Sequence, residues 1–379
     1  MSQAKPLGGT IFTPFFIAMM VVFAIGMYFL GVRFMNGIGA VANINGGYPW
    51  GIWVVYDVVI GTALACGGYA LAITIYLFNK GQYHPLMRAA LLASLLGYAL
   101  GGVGAFIDMG RYWQFYHLMM PQHMNFNSVM LEVGLCVATY ILVLIIEFAP
   151  AFLERIGAKG LLKALDKVLF LFIAIGILLP TMHQSSLGSF LVAMGYKISP
   201  LWQSVYMQPV LALLTALCMG FSIVIFEASM SKAAFDLDDE THLLSKIGKI
   251  IVGLLTAYLV VRFGEIIVNG KFGLIFAGGK NSLLFILETA LFVIPLVILT
   301  SEKKRNNPSI LLWAAVSMLF AGSLYRFNAF LLTYNPGPGY SYFPSVGEIM
   351  VTLGIIAFEV MTYIVLVKTL PVLHKPKHA

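Results

Sequence analysis

Ten stretches of the chain carry apolar side chains at nearly every position, and short segments rich in charge, glycine and proline separate them. They run over about 11–32, 50–79, 86–110, 127–149, 165–190, 206–230, 247–268, 283–299, 310–333 and 348–370. A helix needs about 20 apolar residues to cross a bilayer. The pattern therefore predicts an all-α, polytopic membrane protein with about ten transmembrane helices. A single integral membrane domain over 1–379 is expected. One four-helix bundle would cover about 50–190, a second about 205–333, and the spans at 11–32 and 348–370 would lie peripherally.

Composition agrees. The 379 residues are 60% hydrophobic and 10% charged, with a mean hydropathy of +0.90, far from a soluble domain. Lys and Arg test the division into spans, because short inner loops concentrate them. Sixteen of the 23 fall on one side, including Lys368, Lys375 and Lys377 near the C-terminus. The other side holds five, Arg33, Arg111, Lys197, Lys271 and Lys280, and Arg262 and Arg326 lie in spans. Both termini are thus expected in the cytoplasm. The net charge of +7 encodes topology, and no basic cluster with interleaved aromatics points to nucleic acid. The first span lacks a small-residue cleavage site and reads as an uncleaved anchor. Inner segments such as 150–164 and 231–246 are too short for a soluble domain, so any globular partner must be another chain.

Ionisable residues inside the spans stand out against this background: Asp57, Asp108, Glu132, Glu147, Glu227, Glu265, Glu359, His183, Arg262 and Arg326. Each costs about 2.5–3.5 kcal/mol on insertion scales. In the fourth span Glu132, Cys136, Tyr140, Val143 and Glu147 share one helix face, with the two carboxylates about 22 Å apart along the axis. In the third, Tyr98, Gly101, Ala105, Asp108 and Tyr112 form a similar stripe. Pro180 is expected to break the fifth helix just before His183 and Gln184. Asp57, Asp108, Glu132, His183 and Gln184 would then meet in a polar pocket in the outer half of the first bundle. Blander readings stay open beside this one. His183 packs as a satisfied core residue, Glu147, Glu227 and Glu359 reach the inner interface, Asp108 and Arg111 cap the third helix, and Arg262 pairs with Glu265 and Arg326 with Glu288 or Glu348.

Such a pocket suits a quinone, whose ring and tail are apolar and whose carbonyls need hydrogen-bond donors and protons. His183 would serve one carbonyl, with Glu132 or Asp57 relaying protons and Tyr98, Tyr140, Glu147 and Glu227 leading inward. A transmembrane haem held by two axial histidines is disfavoured, since of seven histidines only His183 is deep in a span. Cys66, Cys136 and Cys218 lie in different spans and have no metal-ligand or iron–sulfur spacing. Small residues in 61–68 and 97–104 predict close helix approach. The glycine, proline and aromatic loops at 45–50 and 335–344 read as rigid turns in an aromatic belt, or as docking points for an outer partner.

With these residues in view, the chain resembles the polysulfide-reductase membrane-anchor family (NrfD-like), and within it the membrane subunits of nickel–iron uptake hydrogenases. The matching stretches are Asn45-Gly-Gly-Tyr-Pro-Trp-Gly51, Phe78-Asn-Lys-Gly-Gln-Tyr-His-Pro85, Asp108-Met-Gly-Arg-Tyr-Trp113, Glu147-Phe-Ala-Pro150, Leu179-Pro-Thr-Met-His-Gln-Ser-Ser186, Phe221-Ser-Ile-Val-Ile-Phe-Glu227 and Tyr340-Ser-Tyr-Phe-Pro344. The resemblance implies a haem-free subunit of the bacterial inner membrane that passes electrons to menaquinone. It implies as partners a periplasmic four-cluster ferredoxin-like iron–sulfur protein and the small and large hydrogenase subunits, and it allows a dimer of the whole complex. It also supports Asp57, Tyr98, Glu132, His183 and Glu227 as quinone-pocket and proton-route residues, with Asp108, Arg111, Tyr112 and Gln184 around the pocket. Relatives serving nitrite, polysulfide or sulfoxide enzymes are the nearest alternative. A secondary transporter, which also keeps ionisable groups at mid-membrane, and a purely structural anchor are the others.

Overall fold

In the computed structural model the described residues are 4–374; Lys375, Lys377 and His378, counted above, lie outside them. Ten apolar helices cross the width of a membrane: α1 (Pro14–Asn36), α2 (Trp53–Leu77), α3 (Gly81–Asp108), α4 (Val129–Ile156), α5 (Leu169–Lys197), α6 (Gln208–Phe235), α7 (Thr241–Val268), α8 (Gly279–Thr300), α9 (Pro308–Leu332) and α10 (Val346–Thr369). Backbone bonds from Lys5 to Leu373 and from Leu7 to Val367 tie the two described ends together. They lie on one face, here the terminal face; the opposite one is the loop face.

Helices α2 to α5 pack in a ring, α6 to α9 pack in a second, and α6 joins them by packing on α2, α3 and α5. The pair α1 and α10 leans on the first ring through α3 and α2. Along its apolar window α2 is 83% buried and α1 only 11%. The first helix is therefore peripheral, and the second is the axis of the molecule.

The axis is irregular for reasons visible in its residues. It opens and closes with wide π-type turns over Trp53–Ile60 and Ile73–Leu77, and it breaks at Ala65 and Cys66. Distortions of this kind gather at functional sites, and at membrane depth the freed backbone groups need partners. Here Thr62 donates to the Val58 carbonyl and Thr74 to the Ala70 carbonyl, while the Gly68 amide donates to Ser94. Small residues make the break tolerable. Gly220 of α6 lies against it so closely that a Cβ there would sit 2.6 Å from the Cys66 carbonyl oxygen. Gly220→Ala is expected to cost about 1–3 kcal/mol through overpacking, read as a lower thermal unfolding midpoint; unchanged stability would show that α6 can retreat.

By contrast α5 does not break at Pro180, against the expectation from sequence; its helix is continuous over Leu169–Met194. Proline removes one amide and crowds the carbonyl four residues earlier, here that of Gly176. The neighbouring Ile177 carbonyl accepts from Thr181, whose hydroxyl is 2.6 Å from that of Tyr69. At the loop face, the 45–50 and 335–344 segments fold on each other. Asn43 and Asn45 donate to the Phe343 and Ser341 carbonyls, Tyr48 to that of Tyr334, and Trp50 to that of Phe330.

Candidate functional site

Where the α2 break meets α5, α6 and α9, a buried polar cluster forms. The His183 ring is 1% exposed, and its Nε2 lies 3.0 Å from Thr62 Oγ1. Gln184 Nε2 donates to the same oxygen at 3.4 Å, and Thr62 in turn donates to the Val58 carbonyl at 2.6 Å. Arg326 reaches in from α9. Its guanidinium donates to Gln184 Oε1 at 3.1 Å, to Thr215 Oγ1 at 3.2 Å and to Met219 Sδ at 3.3 Å. The expected pairing of Arg326 with Glu288 or Glu348 is thus corrected. Arginine has five donors and no acceptor, and this one is satisfied by neutral acceptors. Glu348 instead caps α10, accepting from the Asn43 and Ser345 amides and from the Tyr342 hydroxyl. Tyr98 and Tyr140 complete the cluster, buried edge to face at 4.6 Å, with Tyr98 5.9 Å from the His183 ring and 3.6 Å from Cys66 Sγ.

The expected single pocket is divided in the structure. Asp57, 5% exposed, turns toward α3 and α10, where Thr352 donates to it at 3.2 Å and Gly104 leaves room for its side chain. Asp108 is half-buried with Oδ1 unpartnered. Arg111 is exposed and does not cap α3; Arg33 does, donating to the Ile107 and Met109 carbonyls. Arg33, counted above among the outer-loop charges, is 1% exposed and lies over the rings of Phe34 and Tyr112. Tyr112 falls in the short turn after α3, edge to face with Phe34, Phe106 and Trp113. Glu132 is exposed in the first turn of α4, whereas Cys136, Tyr140, Val143 and Glu147 of its stripe are buried. The stripe rule gave the face, but at the helix end that face runs out of neighbours.

Glu147 and Glu227 come together in a way the sequence only hinted at. Both line a cavity of about 1390 Å³ at the terminal face, with Tyr76, Arg88, Glu154 and Glu240. Glu147 packs against Gly176 of α5, and Glu227 accepts from Ser231 at 2.8 Å and from Tyr363 of α10. At the rim, the Thr241 hydroxyl and Lys232 hold Asp239 down to about 2, while burial, with Glu227 and Asp238 nearby, pushes Glu240 up to about 7. Glu359 lies mid-helix in α10, near Gly97, and not at the inner end.

The second ring encloses an ion pair of its own. Arg262 donates to Glu288 at 2.9 Å, and Trp202 and Asn328 donate to the other carboxylate oxygen at 2.8 and 2.7 Å. Glu265, the expected partner, accepts from Asn269.

Comparison with known proteins matches residues 40–335 to the model of the polysulphide reductase family, NrfD. The chain belongs to the NrfD family. The matched segment contains Thr62, Tyr98, His183, Gln184 and Arg326, whereas Thr352, Glu359 and Tyr363 lie beyond it. The chain is 47% identical to the probable Ni/Fe-hydrogenase 2 b-type cytochrome subunit of Escherichia coli, over 97% of this chain and 95% of that one. It is 31% identical to a Nitratidesulfovibrio vulgaris protein, covering 97% of this chain and 96% of that one. It is 25% identical to the integral membrane subunit of menaquinone reductase from the same organism, covering 93% and 90%.

The first relative's name raises the question of haem. A haem between helices takes two axial side chains, commonly both histidine. Among the described histidines of this NrfD-family chain only His183 is buried; His117 and His123 stack on each other at 3.9 Å in the turn after α3. The donor set does not fit a bis-histidine haem. Among the described residues no group of three His, Cys, Asp or Glu is placed to hold a metal ion, and the three cysteines are free and buried in separate helices.

Proposed function

We propose that this chain is the quinone-reactive membrane subunit of a hydrogen-oxidising respiratory complex, passing electrons from an iron–sulfur partner on the loop face to menaquinone. The observation that carries the reading is the buried His183 ring, held on one side by Thr62 and unpartnered at Nδ1. Likeness to a menaquinone reductase subunit and to a hydrogenase subunit supports it. A bound quinone supplies a two-electron, two-proton acceptor whose oxygens need hydrogen-bond partners and whose ring and tail need apolar walls. His183, Gln184 and Thr62 offer the polar side of such a site. The rings of Phe34, Phe106, Tyr112 and Trp113 offer an aromatic shelf at the loop end of the first bundle, next in the chain to Asp108 and Arg111.

Protons enter from the terminal face, which the Lys and Arg bias puts in the cytoplasm. Glu147 and Glu227 hold them in the cavity about two turns inside their helix ends. Tyr140 and Tyr98 stand above Glu147 on the way to the His183 cluster, with Asp57 as the remaining buried carboxylate of the route. Electrons and protons arriving from opposite faces make turnover electrogenic. The iron–sulfur partner, and the hydrogenase small and large subunits behind it, dock where Trp113, Phe126, Tyr206 and Phe343 are exposed.

The test compares the intact complex with one stripped of this chain. Both should reduce a soluble dye with hydrogen, and only the intact complex should reduce a menaquinone analogue. Quinone reduction without the chain, or dye reduction alone by the intact complex, would remove the proposal.

A further inference from the structure

The polarity of every hydrogen bond around His183 can be worked out from Arg326. A guanidinium offers only donors, so the Gln184 atom facing it at 3.1 Å is the carbonyl Oε1, and the amide nitrogen must face Thr62. Reversing that amide would set N–H against N–H. Thr62 therefore receives a donor from Gln184 and keeps one hydroxyl proton to give, and the Val58 carbonyl stands 2.6 Å away on the same helix to take it. The oxygen accepts on its remaining side, where His183 Nε2 lies at 3.0 Å. That nitrogen must carry the proton. A neutral imidazole has one N–H, so Nδ1, buried and without a partner, is a bare lone pair.

We infer that Thr62 is a positioning residue that fixes His183 in its Nε2–H form, so that buried Nδ1 accepts from an O–H donor, the hydroxyl of a hydroquinone head group. This rests on the quinone reading above and sharpens it. The site as built complements the reduced form, whose hydroxyl donates, better than the carbonyl of the oxidised form, which has nothing to donate. Arg326 contributes from a distance by setting the direction of the Gln184 amide, and through it the acceptor role of Thr62.

The test uses the intact complex carrying ¹⁵N-histidine in lipid nanodiscs, with the His183 signals identified by their loss in His183→Asn. The wild-type protein should show protonated Nε2 and unprotonated Nδ1, and Thr62→Ser, which keeps the hydroxyl, should show the same. Thr62→Val, nearly equal in volume but without an acceptor, should lose the single tautomer. A wild-type ring protonated at Nδ1, or an unchanged ring in Thr62→Val, overturns the assignment. Menaquinol should then shift the Nδ1 resonance of the wild type. No shift at saturating menaquinol gives the donor role to water and overturns the hydroquinone half alone, because the tautomer is read without any quinone.

Discussion

Replacing His183 by alanine is expected to lower hydrogen-driven menaquinone reduction by about 10²–10⁴-fold, the range for a positioned acid–base side chain, here one whose free nitrogen holds the hydroquinone hydroxyl as it forms. Reduction of a soluble dye, which draws electrons upstream of this chain, should persist. The reason lies in the geometry. Among the described histidines His183 is the only buried one, it sits at the middle of α5, and its ring faces the axis helix where α2 is broken. The truncation also leaves Thr62 with one donor fewer and opens a space beside Tyr98, a stability loss of about 1–3 kcal/mol, so assembly of the variant complex is verified by co-purification. Glu132→Gln should do much less, because that carboxylate is exposed and makes no hydrogen bond among the described residues. Quinone rates within about twofold of wild type in His183→Ala would contradict the general acid–base range and exclude the ring from the proton-transfer chemistry.

The ten spans were legible because membrane helices need long apolar runs and little else; each overlaps its structural helix, but α4 and α5 run on to Ile156 and Lys197, past the ends of their apolar runs, and α7 starts early, at Thr241. The stripes on α3 and α4 were legible for a related reason: helical spacing puts Tyr98 and Tyr140 on inward faces whatever the partner. Depth alone misled the grouping of the ionisable residues. Asp57 and His183 sit at different azimuths around α2 and α5, and only helix packing decides that Asp57 meets Thr352 while His183 meets Thr62. Arg326 was visible as an intramembrane charge, yet its partners Gln184 and Thr215 are neutral, and a search for opposite charges passes over them. Thr62 gave little signal, being a lone hydroxyl among glycine and alanine. Tyr363 was detectable in principle, since it follows Glu359 by one helical turn on α10, but nothing in that spacing names Glu227 as its partner.

Pro180 shows the limit of a local rule. The break predicted in α5 occurs instead in α2, where Gly61, Gly67 and Gly68 weaken the helix and Ser94, Thr62 and Thr74 meet the freed backbone. In α5 the helix runs through the proline, and Thr181 serves the Ile177 carbonyl beside the one the ring crowds. Backbone satisfaction by neighbours outweighs the residue's own preference when no water can compete.

Arg262→Ala is expected to destabilise the second ring by about 3–5 kcal/mol, the cost of stranding one member of a buried ion pair. Its partner Glu288 is 0% exposed, and with Arg262 gone the carboxylate keeps only the donors of Trp202 and Asn328. The arginine also lies over the rings of Phe285 and Tyr325, each 5.1 Å from the guanidinium carbon, so its loss removes packing as well as charge. Glu288→Ala should be similarly harmful, leaving Arg262 among those aromatics without a counter-ion. Arg262→Met combined with Glu288→Leu should recover most of the loss, since replacing both members by apolar groups removes two desolvation penalties together. Thermal unfolding of the purified complex checks this. Two single variants as stable as the parent, or a double variant no better than either, would show that the pair does not hold α7 to α8. Because the pair lies in the other ring from His183, the double variant should also retain quinone reduction, separating the fold of the second bundle from the chemistry proposed for the first.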